Sequence, residues 1–344
     1  MLYVTTREKN DPQTTPKALT ADRGTDGGLY VPFQTTKLGA ADVQEMLDKP
    51  FSGCIAEVLN LFFSCRLTGL DVEFAIGRNP LKLVPMNHRI VIAEVWHNLD
   101  SCYDRLEREL AAKICASQGA EMKLTSWLRI AIRIAVLFGI FAQLNRLGMG
   151  TSVDVSVPTG DFSAAMAVWY GRDMGLPIAN IICSCNENSG VWELLHLGEL
   201  HTDGDATVTT TPLADAVVPC ELERLISATM GREEARRFSN VCASGRIYRP
   251  HLEAYPVLKE GMFSAVVSRS RLDALIPSVY RTNSYILGPY TALAYGGLMD
   301  YRAKTGETRP ALMIAERSPV CDGTVVLDSM RMTIEELKAA LNKV

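Results

Sequence analysis

Residues 153–183 read VDVSVPTGDFSAAMAVWYGRDMGLPIANIIC, and this stretch decides the fold class. Its first three valines occupy alternate positions, which is typical of a β-strand. A turn at 158–161 follows, and the spacing then predicts a helix over 162–174, ended by Gly175, and a second strand over 178–183. A strand, a helix and a second strand in this order form a crossover that requires a parallel sheet. We therefore predict an α/β fold with a mostly parallel sheet covered by helices.

Other segments fit the same fold class. Apolar spacing predicts helices and β-branched runs predict strands. The predicted helices cover 51–63, 103–119, 126–147 and 334–341, and further strands are predicted at 90–96 and 311–315. The helix at 126–147 is apolar nearly all round except for Arg129 and Arg133. We expect this helix to be buried between layers and its two arginines to form ion pairs.

The composition excludes several classes of protein. The chain has 344 residues, 47% of them hydrophobic and 22% charged, which suffices for one large or two medium domains. A net charge of −4 provides no basic surface for nucleic acid. The longest apolar run, Ile134 to Ala142, is shorter than the ~20 residues that a membrane-spanning helix needs. The nine cysteines include no C-x-x-C pair. We expect a cytoplasmic protein with no metal, no nucleic-acid partner, no membrane association and no secretion signal.

Several segments resemble, in the same order, motifs of the threonine synthase family. The turn P-T-G-D-F-S at 158–163 is similar to the family's phosphate-binding loop P-S-G-N-F-G. The other matching segments are Y-V-T-T-R at 3–7, D-G-G-L-Y-V-P at 26–32, S-W-L-R-I at 126–130, M-G-L-P at 174–177, N-E-N at 186–188, T-P at 211–212, V-P at 218–219, L-E-R-L at 222–225 and G-P-Y-T-A at 288–292. This shared order is more specific than any one motif. The resemblance implies the tryptophan synthase β-like fold of pyridoxal-phosphate enzymes.

The resemblance also implies a lysine that forms a Schiff base with pyridoxal phosphate, because family members use it to convert phosphohomoserine to threonine. In the family this lysine lies in E-L-F-H-G-P-T-L-A-F-K-D. The matching run at 94–105 reads E-V-W-H-N-L-D-S-C-Y-D-R, which puts Asp104 at the lysine position. No nearby residue is a good substitute for the lysine. Arg105 stays protonated and is a poor nucleophile, and the acidic neighbours of Cys102 disfavour its thiolate. Lys113 is roughly 13 Å further along the helix, which is too far. We therefore predict that pyridoxal phosphate is not covalently bound.

The former phosphate loop departs from the family pattern as well. Its residues are Thr159, Gly160, Asp161, Phe162 and Ser163, with Asp161 in place of Asn and Ser163 in place of Gly. A carboxylate about 4 Å from a phosphate costs several kcal/mol. Phosphate affinity should therefore be poor, and a neutral or cationic ligand is more consistent. Glu316 stands where the family has a hydroxyl partner for the pyridine nitrogen, a change that the chemistry tolerates better.

One block of the family has no counterpart here. The S-G-D-T-G segment and the β-α unit after it are missing, since one helix and a turn around Gly119 separate Arg105 from Trp127. In the family this block builds much of a mobile smaller domain, which we expect to be largely deleted. We predict a threonine-synthase-like N-terminal domain over 1–90 and a truncated pyridoxal-phosphate-enzyme-like α/β domain over 91–344.

The favoured hypothesis is a non-catalytic threonine synthase-like protein with a binding, scaffolding or regulatory role. One alternative is an enzyme with lysine-independent chemistry, built on a polar cluster near a strand end: His97, Asp100, Cys102, Tyr103 and Asp104. The same residues could simply form a polar loop in which Asp100 or Asp104 is the N-cap of a helix. A further alternative is a residual threonine synthase. The cleft could hold a small molecule, and a homodimer or another protein partner could cover the helix at 126–147.

Overall fold

The computed structural model describes residues 1–77, 81–96, 103–149 and 152–341, and it contains two β-sheets. The small sheet has the order β2-β1-β3 and is antiparallel. Its strands are β1 Leu2–Thr5, β2 Gln13–Thr14 and β3 Tyr30–Pro32. The large sheet has the order β4-β5-β9-β6-β7-β8. Its strands are β4 Lys82–Met86, β5 Ile90–Glu94, β6 Val153–Pro158, β7 Ile178–Cys185, β8 Met262–Val266 and β9 Ala311–Ala315.

Helices surround the large sheet. In chain order they are α1 Thr15–Thr20, α2 Ala40–Leu47, α3 Phe51–Phe63, α4 Gly69–Ile76, α5 Asp104–Ser117, α6 Ser126–Arg146, α7 Ser163–Met174, α8 Gly190–Leu197, α9 Leu222–Met230, α10 Arg232–Ala243, α11 Tyr255–Leu258, α12 Arg269–Asn283, α13 Pro289–Thr305, α14 Gly323–Met330 and α15 Ile334–Leu341. Short 3₁₀ turns occur at Asn87–Arg89 and Pro212–Ala214.

The predicted crossover forms as expected. β6 and β7 are parallel neighbours joined by α7, with Val157 opposite Cys183. All neighbouring strands of the large sheet are parallel except β4 and β5. The antiparallel strand β4 lies at the edge of the sheet and contains Pro85, which an edge strand tolerates because its lost N–H is not needed for the ladder. The prediction of a mostly parallel α/β sheet is confirmed.

Both faces of the large sheet are covered by apolar side chains. Successive residues of a strand point to opposite faces, so Val91 joins the core beneath α6, while Ile92 joins the core beneath α13. The first core continues into the N-terminal region, where Tyr3 donates a hydrogen bond of 2.6 Å to the carbonyl of Phe62. The division of the chain at residue 90 stays a prediction.

The helix α6 is the central element of the covered face. By length and composition it could cross a membrane, but most of its residues are buried inside this chain, against α3 and α7 among others. The expectation of a helix buried between layers is confirmed. Most of the apolar surface of this helix is covered within the chain, and a partner subunit at this helix stays a prediction.

Several predicted boundaries need small corrections. The strand predicted over 90–96 ends at Glu94, and the helix predicted over 103–119 spans Asp104–Ser117. Asp104 is not the N-cap of α5: Tyr103 occupies that position, and Asp104 is an acidic residue of the first turn. Between α5 and α6, residues 118–125 contain neither helix nor strand, as the short spacing in the sequence predicts.

Candidate functional site

A cavity of about 450 Å³ opens where β6 and β9 end at their carboxyl termini. Parallel sheets generally place ligand sites at this edge. The residues that line the cavity are Tyr103, Asp104, Arg129, Arg133, Val157, Pro158, Thr159, Gly160, Asp161, Ser163, Ala164, Leu213, Ala214, Gly288, Tyr290, Thr291, Ile314, Glu316, Arg317 and Asp322. The start of α5, the inner face of α6, the β6–α7 turn and the segment after β9 therefore meet at one point.

The β6–α7 turn is held in a tight conformation. The amide of Thr159 donates to the carbonyl of Ser184 at 3.0 Å, and the amide of Phe162 donates to the carbonyl of Thr159 at 2.7 Å. Phe162 is buried with a φ of +73°, so its backbone turns sharply into α7 while its ring enters the core. Gly160 has a φ of +47°, and a Cβ there would lie 2.9 Å from the carbonyl oxygen of Leu213. Only glycine fits this position without displacing the neighbouring loop.

Asp161 occupies the amino end of α7 with its own carboxylate. Its Oδ1 accepts hydrogen bonds from the backbone amide of Ser163 at 2.9 Å and from the Ser163 hydroxyl at 2.6 Å. A helix N-terminus with free amides normally attracts anions. In this chain a side-chain anion already uses the first of those amides.

Asp104, which the sequence resemblance puts at the position of the family lysine, also lines the cavity. Asp104 is the first residue of α5 and is exposed, and it lines the opening. No lysine is among the lining residues of the described chain. His97, Asp100 and Cys102, the other proposed chemical groups of this segment, lie outside the described residues. Among the described residues from 103 onward, the cavity has the carboxylate of Asp104 at the position where the family resemblance implies the amine of a lysine.

Tyr103 joins this segment to β9. Its amide donates to the carbonyl of Glu316 at 2.9 Å. The side chain is only 2% exposed, and its hydroxyl has no hydrogen-bond partner among the described residues. Burial raises the pKa of the Tyr103 hydroxyl well above 10, so it remains protonated at neutral pH and cannot serve as a base.

An ion cluster of α5, α6 and the β9 end forms the inner wall. Arg133 is paired with Glu316, and its Nε lies 3.1 Å from Oε1 of Glu107. Nη1 of Arg129 lies 3.5 Å from the other carboxylate oxygen of Glu107. The Arg133 guanidinium also lies 4.9 Å from the centre of the Tyr103 ring. The expectation that both arginines form ion pairs is confirmed.

The carboxylates fix the charge of the inner wall. Burial lowers the pKa of Arg133, but Glu316 and Glu107 more than reverse this and hold that pKa well above its ordinary value. Burial raises the pKa of Glu107, an effect that Arg133 partly opposes. Arg133 therefore stays positively charged inside the protein. Its pairing with Glu107 offsets part of the free-energy cost of burying that charge.

Sequence reasoning missed several residues of this site. Glu107 lies on the apolar stripe of α5 with Leu110 and Ile114, and an acid on such a stripe could have been noticed. Arg317 and Asp322, whose Nε and Oδ2 atoms are 3.1 Å apart, form the far wall. Tyr290 also lines the cavity, and no pattern in the sequence indicates this position. The predicted loop residues Thr159, Gly160, Asp161 and Ser163 all line the cavity, whereas Phe162 is buried behind it.

Comparisons with known proteins agree on one family. A family profile described as "Threonine synthase N terminus" matches residues 2–78. Threonine synthase of Pseudomonas aeruginosa is 26% identical over 204 residues, which cover 57% of this chain and 42% of that protein. Human "Threonine synthase-like 1" is 28% identical over 176 residues, or 49% of this chain and 24% of that protein. The matched part therefore spans less than half the length of these curated relatives.

Solved structures agree over nearly the whole chain. The pyridoxal-phosphate-bound threonine synthase of Brucella melitensis superposes with a TM-score of 0.83 at 18% identity, over 96% of this chain and 92% of that one. Yeast threonine synthase also gives a TM-score of 0.83, at 15% identity, over 99% of this chain and 94% of that one. These two structures establish the fold.

Proposed function

Because the chain belongs to the threonine synthase family, we propose that it is a non-catalytic member whose cleft binds a small molecule without a covalent cofactor. The observation that carries this proposal is the lining of the cavity, with Asp104 at the lysine position and no lysine among the described lining residues. A carboxylate cannot form an imine with an aldehyde. The protein then has a binding, scaffolding or regulatory role.

The lining does not fit pyridoxal phosphate in the way that the family holds it. The Asp161 carboxylate lies where a phosphate would approach α7, and two like charges about 4 Å apart cost several kcal/mol. The pairing of Glu316 with Arg133 also engages the carboxylate that could have met the pyridine nitrogen. Together with Asp104, these two positions argue against the family cofactor.

The first test is an assay of the family reaction. The full chain is incubated with phosphohomoserine and added pyridoxal phosphate, and both threonine and phosphate are measured. We expect neither product above a no-protein control, while a working threonine synthase in the same assay forms both. Stoichiometric release of threonine and phosphate would instead identify a residual threonine synthase.

A lysine-independent enzyme is the second candidate, favoured by the presence of Tyr103 and Asp104 in one cavity. A screen of phosphorylated amino acids and hydroxy acids tests it, with the wild type compared with Asp104→Ala and His97→Ala. Our proposal predicts no turnover in any of these proteins. Turnover that Asp104→Ala abolishes, while Asp205→Ala at an exposed site leaves it unchanged, would establish this alternative.

A homodimer, another protein partner and a cytoplasmic location remain parts of the proposal. The helix α4 presents Leu70 and Phe74 to solvent, at 64% and 84% exposure. These two side chains lie one turn apart and are a more plausible contact surface than α6. Light scattering of the purified chain tests self-association: a monomer at all concentrations would contradict a homodimer.

A further inference from the structure

We propose that Arg224, on α9, is a positioning residue for the cavity, because it ties the β6–α7 turn to the small N-terminal sheet. Arg224 is not among the residues that line the cavity, and it acts on the turn through Glu221. The inference goes beyond the proposed function: it assigns the shape of the β6–α7 turn to contacts with the N-terminal region, whatever the cavity binds.

The Arg224 side chain joins the N-terminal sheet to α6 inside the protein. It is fully buried. Its Nε and Nη2 atoms both donate to the carbonyl of Tyr30 on β3, at 3.2 and 3.0 Å, and Nη2 also donates to the Ser126 hydroxyl at 3.0 Å. Ser126 is the first residue of α6, the helix that contributes Arg129 and Arg133 to the cavity wall. A guanidinium can serve these separate acceptors at once, because it has five N–H donors in a fixed plane.

Glu221 carries the contact from Arg224 to the turn. This residue is the N-cap of α9, and its carboxylate pairs with Nη1 of Arg224 at a site where Glu221 is only 2% exposed. The backbone amide of Glu221 donates to the carbonyl of Asp161 at 3.1 Å. A buried carboxylate needs a cation and hydrogen bonds to compensate the cost of its burial. Arg224 therefore holds Glu221, and with it the donor to Asp161, in place beside the turn.

A second ion pair allows positioning to be separated from stability. Arg237 pairs with Glu234 on α10 with the same spacing of three residues, and the Glu234 side chain is only 4% exposed. The other described partners of Glu234 are Tyr248 and His251, and neither belongs to the β6–α7 turn. Loss of Arg237 therefore also removes the arginine from a buried carboxylate, but at a site outside the turn.

The test compares the full chain of the wild type with Arg224→Met and Arg237→Met by hydrogen exchange at pH 7, followed by mass spectrometry that resolves single amides. The reporters are the amides of Phe162 and Ser163, whose acceptors are the carbonyl of residue 159 and the carboxylate of residue 161. We expect both amides to exchange at least 10-fold faster in Arg224→Met than in the wild type. In Arg237→Met the increase should be less than 2-fold.

The double variant Glu221→Gln/Arg224→Met separates the two roles further. Removing the carboxylate together with the arginine leaves no unpaired buried charge, so urea denaturation should show a stability well above that of Arg224→Met. The reporter amides should still exchange at least 10-fold faster than in the wild type, because the contact with Tyr30 and Ser126 is lost. The double variant also decides the matter if Arg224→Met does not fold.

Three outcomes would overturn the inference. The reporter amides could exchange at the wild-type rate in Arg224→Met, they could exchange equally fast in Arg237→Met, or their rate could return to that of the wild type in the double variant. The proposed function fails separately, if the chain forms threonine or a lysine adduct with pyridoxal phosphate, and such a result would leave the expected exchange rates unchanged.

Discussion

Asp161 is the residue that most changes the chemistry of the turn before α7. The family motif has an uncharged amide at this position, and here a carboxylate binds the first amide of the helix and the hydroxyl of Ser163. The carboxylate stabilises the helix start, because it provides an acceptor and a negative charge at the positive end of the helix dipole. The same group repels any second anion.

The first prediction removes this charge and keeps the side chain's shape. Asp161→Asn retains an acceptor oxygen for Ser163 but no longer repels phosphate. We expect millimolar inorganic phosphate to raise the melting temperature of Asp161→Asn and to leave that of the wild type unchanged. Differential scanning calorimetry provides the measurement, with Asp205→Asn as the matched control. Equal responses of wild type and Asp161→Asn would contradict the role assigned to this carboxylate.

At the residue scale the sequence predicted positions better than contacts. Asp104, Tyr103 and the loop from Thr159 to Ser163 could be placed from their order along the chain, because strand ends of a parallel sheet meet at one edge. The pairing of Arg133 with Glu316 could not, since the two residues are 183 positions apart and nothing local joins them. The left-handed backbone of Phe162 also gave no signal, because large apolar residues rarely adopt it.

The pair of helices α5 and α6 carries the buried ion cluster of the inner wall. Arg133 is 14% exposed at its side chain, and Glu107 only 1%. Arg133→Met leaves both Glu107 and Glu316 without this partner, and breaking a buried pair in this way typically costs about 3–5 kcal/mol. We expect a loss of unfolding free energy in that range by urea denaturation.

Arg281→Met is the matched control for this change, since Arg281 is exposed on α12. It should alter the free energy of unfolding by no more than about 0.5 kcal/mol. If Arg133→Met cost no more than this control, the cluster would contribute nothing to stability.

The pH dependence of stability tests the same cluster from the side of Glu107. Burial raises the pKa of Glu107 above the 4.5 of an unfolded glutamate. The neutral form of Glu107 is therefore more favoured in the folded state than in the unfolded state. The stability that this difference provides is fully present below pH 4.5 and is lost as pH rises through the raised pKa. Urea denaturation between pH 4 and 7 compares the wild type with Glu107→Gln. The stability of the wild type relative to the variant should fall as pH rises, and a constant difference would contradict this assignment.

Close packing of α6 against α3 gives a prediction that does not involve charge. A Cβ added at Gly139 would lie 2.6 and 2.8 Å from two ring carbons of Phe51. Gly139→Ala should therefore cost about 1–3 kcal/mol of unfolding free energy by overpacking. In the control Gly323→Ala the new Cβ meets nothing within 4 Å, so stability should stay equal or rise. Equal effects of the two substitutions would mean that α3 and α6 are not packed as described.

At the scale of elements, the βαβ unit could be predicted because each of its parts is marked locally. Alternating valines mark β6, and Gly175 with a φ of +119° ends α7. The start of α15 is marked just as locally by the capping box of Thr333 and Glu336, whose two hydrogen bonds are both present. The antiparallel edge strand β4 was missed, since its short sequence has no alternation and includes Pro85.

At the scale of the whole molecule, a conserved architecture surrounds an altered cavity. The chain superposes on two threonine synthases with TM-scores of 0.83, although their sequences are only 18% and 15% identical to it. The sheet and its helices therefore match at low sequence identity, and we propose that Asp104, Asp161 and Glu316, which line the cavity, change the chemistry at the sheet's edge. We propose a binding function for this combination.

One measurement tests this account most directly. The full chain is incubated with equimolar pyridoxal phosphate, reduced with borohydride, and analysed by intact-mass and peptide mass spectrometry. We predict no stoichiometric pyridoxyl adduct, and only the scattered, substoichiometric labelling of exposed lysines that a denatured control also shows. A single lysine labelled to completion in the native protein, and protected when the cavity is occupied, would contradict the account.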